Sequence, residues 1–383
     1  MAGVPLAWLL LLKFRGRFIA AIAGIAFAVI LALVQLGFQN ALYASITRLY
    51  ASFNADLVLI SPQYQSIVAR ETFPERRLYQ ALGVEEVESV APIYMDQVEW
   101  TNPENHYERF IFLVGFKPRV GVFGFPEVNR QLAQIEESGS VLFDEASRSE
   151  FGPIGRLFRE NGAVVTEISR RSVRVAGLFR MGASFANSGH VITSDVNFLQ
   201  LMPTRRPGDI DVGLIQLKAG TDAEIVRSKL SSMLPADVTV LTKQGFLDRE
   251  TSYWSGSLPI GFLFRASLIM SLVVGAVVVY QILYSGVSEH LHEYATLKAI
   301  GYSHGRLFRV VLEEALILSV LGFLPGLLLA AGVYYAVEAI TFLPLQMTMQ
   351  RILSAYALTT LMCVVAGMLA MRRLYTADPA EVF

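Results

Sequence analysis

The 383-residue sequence contains a single cysteine, Cys363, which lies in an apolar stretch near the end of the chain. The long polar region after the first apolar segment therefore offers no disulfide and no cysteine-based metal site. Net charge is also scarce, because 32 basic and 33 acidic side chains leave a formal charge of -1. Without an overall positive field, the chain lacks the electrostatic attraction that is typical of nucleic-acid binders.

Sequence motifs for catalysis and nucleotide binding are absent. The chain has no Gly-x-x-x-x-Gly-Lys phosphate loop, no Gly-x-Ser-x-Gly and no His-Glu-x-x-His. Zinc-site spacing is missing too, because His290 and His292 are two residues apart and would lie on different faces of a helix. We therefore predict no catalytic residue, no metal site and no cofactor in this chain, and any energy from ATP must come from a partner.

Long apolar runs, in contrast, are abundant. Hydrophobic residues make up 53% of the chain and only 17% are charged, which predicts an integral membrane protein with a separate polar domain. Four stretches are long enough to cross a bilayer as helices. These predicted spans are residues 18–40, 258–284, 310–338 and 352–371.

The spans divide the rest of the chain into segments. We predict an interfacial amphipathic helix at 1–17, a polar domain with helical stems at 41–257, connecting loops at 285–309 and 339–351, and a tail at 372–383. By the positive-inside rule, the side with most basic residues is cytoplasmic. The residues that fall on that side are Lys13, Arg15, Arg17, Lys298, Arg306, Arg309, Arg372 and Arg373. Both termini are therefore expected in the cytoplasm and the polar domain outside.

The polar domain has matching patterns at its two ends. Strand–helix–strand patterns at 56–100 and 212–241 flank an insertion at about 117–209, in which short strands alternate with glycine and proline. The predicted fold is an α+β membrane protein with four transmembrane helices. Its large extracytoplasmic domain, between the first two spans, combines a ferredoxin-like lobe with a mostly β insertion. Tyr253 and Trp254 predict an aromatic belt where the chain returns to the membrane.

Small residues predict close helix packing in the membrane. Gly24 and Ala28 belong to a face of small residues spaced by four. Gly322, Pro325 and Gly326 combine a small-residue pair with a proline kink, which suits either a tilting helix or a static bend.

Three charged residues within the predicted spans are candidates for a role inside the membrane. Arg265 either marks a function inside the membrane or extends its side chain to the membrane surface. Glu313 and Glu314 lie at the start of the third span, where a structural anchor and a proton carrier are the alternatives.

A hydrophilic passage at residues 288–301 separates the second and third spans. Its sequence, Ser-Glu-His-Leu-His-Glu-Tyr-Ala-Thr-Leu-Lys-Ala-Ile-Gly, predicts a short helix with a C-terminal glycine cap. Such a helix, held at both ends by spans, can dock on a soluble partner and pass force to the membrane. Its candidate coupling residues are Glu289, Glu293, Tyr294, Thr296, Leu297, Lys298 and Gly301.

This passage also carries a family resemblance. The stretch from Glu293 to Gly301, with one span, a large domain, three spans and a final Asp-Pro-Ala-Glu-Val-Phe, resembles MacB/FtsX-type permeases of ABC transporters over nearly the whole chain. Within that family, residues 280–301 and the ending are most similar to DevC-type permeases of cyanobacterial (glyco)lipid exporters.

The resemblance implies partners and a location. Residues 288–301 would contact a separate ABC ATPase, which binds ATP and Mg. The permease would be a homodimer among the lipids of a bacterial inner membrane. Its outer domain would meet a periplasmic membrane-fusion adaptor and, through it, a TolC-like outer-membrane channel.

Together these features predict a non-catalytic permease subunit. It would transmit ATP-driven motion to its outer domain and export a lipid, glycolipid or other hydrophobic cargo. The alternative is an FtsX-like signalling subunit that regulates extracytoplasmic hydrolases without transport, although such relatives usually have a smaller outer domain. A membrane-bound enzyme is a third class, for which no set of acid, base or metal residues stands out.

Overall fold

The computed structural model describes residues 15–119, 121–257, 259–289, 304–341, 345 and 347–376. Its helices are α1 (Arg15–Ala51), α2 (Arg76–Gln80), α3 (Pro126–Arg130), α4 (Leu132–Glu136), α5 (Ile154–Asn161), α6 (Asp195–Leu201), α7 (Ala223–Met233), α8 (Lys243–Ser252), α9 (Pro259–Glu289), α10 (His304–Thr341) and α11 (Met349–Thr376). Its strands are β1 (Leu57–Ile60), β2 (Phe73–Pro74), β3 (Val87–Thr101), β4 (Glu108–Phe116), β5 (Ser140–Asp144), β6 (Val164–Ile168), β7 (Arg171–Phe179), β8 (His190–Ser194), β9 (Asp209–Ile210), β10 (Val212–Leu217) and β11 (Thr239–Thr242).

The chain divides into two compact units. One, which we call the four-helix unit, comprises Met1–Ala41 and Pro259–Phe383. The other, which we call the inter-span domain, comprises Leu42–Leu258. Helix α1 is continuous through Ala51, so its last turns belong to the inter-span domain.

Among the described residues, four helices are long and apolar enough to cross a membrane, as the sequence predicts. Their apolar portions are Phe18–Ala51, Ile260–Ser285, Arg309–Val337 and Met349–Ala370. Large side chains such as Leu328 and Phe262 remain 74% and 69% exposed, which suits lipid-facing positions. The chain is therefore a multi-pass membrane protein. The predicted amphipathic helix at 1–17 and tail at 372–383 lie largely outside the described residues.

The inter-span domain is built on one nine-stranded sheet with the order β11-β1-β10-β3-β4-β8-β5-β7-β6. Its first four strands come from two strand–helix–strand units, β1-α2-β3 and β10-α7-β11, which interleave with antiparallel pairing. This interleaving confirms the ferredoxin-like arrangement. Helix α7 begins where the Asp222 carboxylate accepts the N–H of Glu224 at 2.8 Å, a normal N-terminal cap.

Rather than being mostly β, the predicted insertion contains the four short helices α3–α6 as well as the strands β5–β8 in its described residues, and it does not form a sheet of its own. Its strand β8 pairs in parallel with β4, with Phe112 opposite His190, and so extends the same sheet. One hydrophobic core runs through both the ferredoxin-like part and the insertion, and it includes Trp100, Phe143 and Ile215. Without β8, the backbone N–H and C=O groups on this edge of β4 would have no partner strand. Strand β8 provides their hydrogen-bond partners.

Candidate functional site

Glu250 lies at the centre of a buried hydrogen-bond network in the inter-span domain. Its side chain, on α8, is completely buried. The carboxylate accepts the backbone N–H of Ile67 at 3.0 Å and the indole N–H of Trp254 at 3.1 Å. The Tyr64 hydroxyl donates to its other oxygen at 3.3 Å and lies 2.6 Å from the hydroxyl of Tyr50. We call Tyr50, Tyr64, Glu250 and Trp254 the stem network.

The stem network joins the two segments through which the chain enters and leaves the inter-span domain. Tyr50 is in the last turn of α1, while Glu250 and Trp254 lie on α8 and on the π-helical segment Tyr253–Ser257 that follows it. Ring packing strengthens the link, because the Phe246 ring of α8 lies 4.7 Å from that of Tyr50. π-Helical turns are rare and frequently mark functional positions.

Sequence reasoning placed Trp254 in an aromatic belt at the membrane interface, and the structure corrects this. Trp254 is only 5% exposed and its indole N–H points to Glu250 inside the domain. The sequence itself carries a signal for this arrangement. Phe246, Glu250 and Trp254 recur every four residues, which places them on one face of a helix.

Burial controls the ionisation of Glu250. It raises the pKa of the carboxyl to about 7, although the Ile67 N–H, Trp254, Tyr64 and the charge of Arg70 all favour the ionised form. Burial also raises the pKa of Tyr64 well above its ordinary value, so this hydroxyl remains a donor. The stem network therefore contains a carboxyl group that changes charge near neutral pH.

This pKa predicts a pH-dependent stability. The folded chain holds the Glu250 proton more tightly than the unfolded chain, whose glutamate pKa is 4.5. The stabilisation is therefore complete below about pH 4.5 and is lost as pH rises to about 7, a change of about 3 kcal/mol. The unfolding temperature of the full chain in detergent should therefore fall as pH rises from about 4.5 to about 7. In Glu250→Gln this contribution to the pH dependence should disappear. Identical pH profiles for the two proteins would contradict this assignment.

Residues 180–189 form a loop of the insertion. This loop contacts both segments through which the chain enters and leaves the inter-span domain. The N–H of Phe185 donates to the Ser45 hydroxyl at 3.2 Å, and the Arg48 guanidinium of α1 donates to the carbonyl of Met181. The Phe185 ring also lies 6.0 Å from Trp254 in an edge-on arrangement. This loop therefore holds α1 and the π-helical segment against the sheet.

Asp144 fixes the conformation of that loop. Its fully buried carboxylate accepts the backbone N–H groups of Met181 at 2.9 Å and of Gly182 at 2.8 Å. Such paired charge-assisted hydrogen bonds make the loop rigid where it meets α1.

In the four-helix unit, the predicted packing residues lie at close helix contacts. A Cβ built on Gly24 would lie 2.3 Å from Val278 of α9, and the Cβ of Ala28 lies 2.6 Å from the position of one built on Gly275. Glycine is therefore required where α1 crosses α9, since real Cβ atoms do not approach so closely.

The second predicted packing group lies on α10. A Cβ on Gly322 would be 2.6 Å from Ile25 of α1, and one on Gly326 would be 2.8 Å from Val29. Pro325 is inside α10, between these contacts. Helix α1 therefore packs against both α9 and α10 through small residues.

The predicted polar residues of the spans lie on two helices, α9 and α10. Arg265 is exposed on α9 and its Nε donates to the carbonyl of Gly261 at 3.2 Å. Glu313 is half-buried and Glu314 is buried on α10. The coupling residues Glu293, Tyr294, Thr296, Leu297, Lys298 and Gly301 lie outside the described residues, and Glu289 is the last residue of α9.

Residues 265–379 match the family described as FtsX-like permease C-terminal. This match indicates a permease of the FtsX-like kind for that part of the chain. No curated protein matches the chain.

Two solved structures resemble the chain over about half its length. The periplasmic region of MacB from Actinobacillus actinomycetemcomitans has 10% identity and a TM-score of 0.36, covering 50% of this chain and 91% of that one. The extracellular domain of the noncanonic ABC-type transporter YknZ from Gram-positive bacteria has 14% identity and a TM-score of 0.33, covering 49% and 100%.

Proposed function

We propose that this chain is the permease subunit of an ABC exporter and that it transmits motion of a separate ATPase to its inter-span domain. The stem network is the observation that carries the proposal. Because α1 and α8 are joined by buried hydrogen bonds, a movement of either segment must displace the sheet to which both are attached. The family match of residues 265–379 supports the permease assignment.

The proposed sequence of events begins at residues 288–301. ATP binding and hydrolysis in the partner move this coupling segment, the attached spans tilt, and α1 and α8 carry the tilt into the inter-span domain. Cargo is then driven outside the membrane rather than through a pore between the spans. Few polar side chains line the spans, whereas transporters that bind cargo at mid-membrane usually show several.

The proposal includes an assembly and a cargo class. Two copies would bind two ATPase subunits in a bacterial inner membrane, with both termini in the cytoplasm. A periplasmic adaptor and a TolC-like channel would complete the path for a lipid, glycolipid or other hydrophobic cargo. Both the assembly and the cargo rest on the resemblance to MacB- and DevC-type permeases.

Substitutions in the coupling segment test the proposal. We expect Glu293→Lys and Leu297→Asp to weaken co-purification with the candidate ATPase about tenfold and to abolish coupled hydrolysis, since both alter a predicted contact face. Glu160→Lys and Ile225→Asp are matched controls, because both residues are exposed in the inter-span domain.

The same experiment separates the proposal from its alternatives. If the variants bind and stimulate the ATPase as well as the controls do, residues 288–301 are not the coupling segment and transport loses its main support. If the complex hydrolyses ATP but a partner hydrolase, rather than any lipid, responds to it, the FtsX-like signalling role is correct.

A further inference from the structure

Strand β3 changes its partners along its length. Residues 87–93 pair with β10 on one edge, and residues 93–101 pair with β4 on the opposite edge. The β4-side edge of residues 87–92 therefore has no partner strand within the described part of the chain. After Phe116 the chain leaves β3, so the position that β4 would occupy beside this segment is open.

A cavity of about 260 Å³ follows this open edge. All five consecutive residues from 88 to 92 line it. Because successive strand residues point to opposite faces, a cavity that touches all of them must run along the edge rather than over one face. Tyr79, Leu82, Val122 and Leu214 also line it, as do Lys117, Arg119 and Gly121 from the part of the chain that follows β4. We call this cavity the β3 slot.

The β3 slot combines apolar side chains with charged ones, of which Glu88 is an exposed carboxylate and Lys117 and Arg119 are basic. Leu82 and Tyr79 are 48% and 40% exposed, so both offer apolar surface to a ligand. Lys117 is already engaged, since its Nζ lies 2.8 Å from the Glu75 carboxylate. Arg119 is exposed and has no ion pair with any residue in the described ranges. An acidic group beside Arg119 would therefore meet a guanidinium that has no ion pair, whereas one beside Glu88 would be repelled.

We propose that the β3 slot binds an extended peptide segment of a partner protein, which adds a strand to β3 and places an acidic side chain against Arg119. An unpaired strand edge presents alternating N–H and C=O groups, and only another backbone satisfies both. An acyl chain would contact the walls but leave these groups unpaired. Pro92 has no N–H, so the added strand pairs with residues 88–91.

The inference goes beyond the proposed transport role, because a strand-adding partner suits a permease and a signalling subunit equally. Random nonapeptides displayed on phage would be selected on the full chain in phosphatidylcholine nanodiscs. We expect the selected peptides to contain an acidic residue and to lose about tenfold or more in affinity for Arg119→Glu and for Leu82→Glu. Arg171→Glu, an exposed charge change on β7 outside the slot, should leave binding unchanged.

Two further measurements identify the binding mode. Hydrogen exchange of the full chain should slow within residues 88–91 when a selected peptide is added. Every second backbone nitrogen of the peptide can be methylated in two patterns, on the odd or on the even positions. Since only alternate N–H groups face β3, one pattern should abolish binding and the other should leave it unchanged.

Several outcomes would overturn the proposal. One is that no peptide is enriched over empty nanodiscs. Others are that selected peptides bind Arg119→Glu as tightly as the original chain, or protect only residues outside the slot. Protection of residues 88–91 by lysophosphatidylglycerol without any peptide would show an amphiphile site instead. Protection that grows with protein concentration alone would show that a second copy of this chain fills the slot.

Discussion

Replacing Gly326 with leucine is expected to lower the midpoint of thermal unfolding of the full chain in detergent by about 10 °C. The reason is steric. Even a bare Cβ at this position would lie 2.8 Å from Val29 and 2.9 Å from the carbonyl oxygen of Ala26. One of these atoms belongs to the backbone of α1 and cannot rotate away, so α1 must retreat from α10.

Gly332 provides a matched control on the same helix. A Cβ at Gly332 meets no atom within 4 Å, so Gly332→Leu should unfold at nearly the original temperature. Gly326→Ala should give an intermediate loss, which separates a graded steric effect from a general failure to insert. If Gly326→Leu and Gly332→Leu unfold at the same temperature, close packing of α1 on α10 is not what stabilises this unit.

The same contact has a consequence for coupling. If α1 carries motion from the spans to the inter-span domain, its distance from α10 sets how firmly the two helices move together. Gly326→Ala should therefore reduce ATP hydrolysis by the assembled complex more than Gly332→Ala does. Equal activities would show that the α1–α10 contact serves stability alone.

The apolar helices and the ferredoxin-like strands could be predicted from sequence because their signals are local. A membrane span is recognised from about twenty consecutive residues without charges, and a strand from apolar and polar residues that alternate over a few positions. The single nine-stranded sheet could not be predicted, since it depends on β8 joining β4. Phe112 and His190 are opposite each other there, and nothing in the sequence near either residue indicates the pairing.

The stem network could be predicted only in part. Glu250 follows Asp248 and Arg249 in a strongly polar stretch, which indicates a solvated helix. Its burial depends on Tyr64 and Ile67, which lie more than 180 residues earlier in the chain. The β3 slot was equally hidden, because an open strand edge is defined by the partner that is missing. In both cases, contacts between residues far apart in the sequence determine the feature, and the local sequence pattern does not indicate it.

Removing the Glu250 carboxylate is expected to have the largest effect in the inter-span domain. In Glu250→Ala, the N–H of Ile67, the indole N–H of Trp254 and the Tyr64 hydroxyl lose their acceptor inside the core. Each unsatisfied buried donor costs about 1–3 kcal/mol, so the domain should lose several kcal/mol and unfold about 10 °C lower. Thermal unfolding of the full chain in detergent measures this loss.

Two variants make the Glu250 result interpretable. Glu160→Ala removes an exposed carboxylate and should leave the unfolding temperature nearly unchanged. Tyr50→Phe removes only the hydroxyl that lies 2.6 Å from Tyr64 and should cost about 1 kcal/mol. Because Tyr50 is the residue of α1 in the network, this small loss of stability should accompany a larger loss of ATP-driven output. If Tyr50→Phe keeps full output while Glu250→Ala unfolds the domain, the network stabilises the fold without transmitting motion.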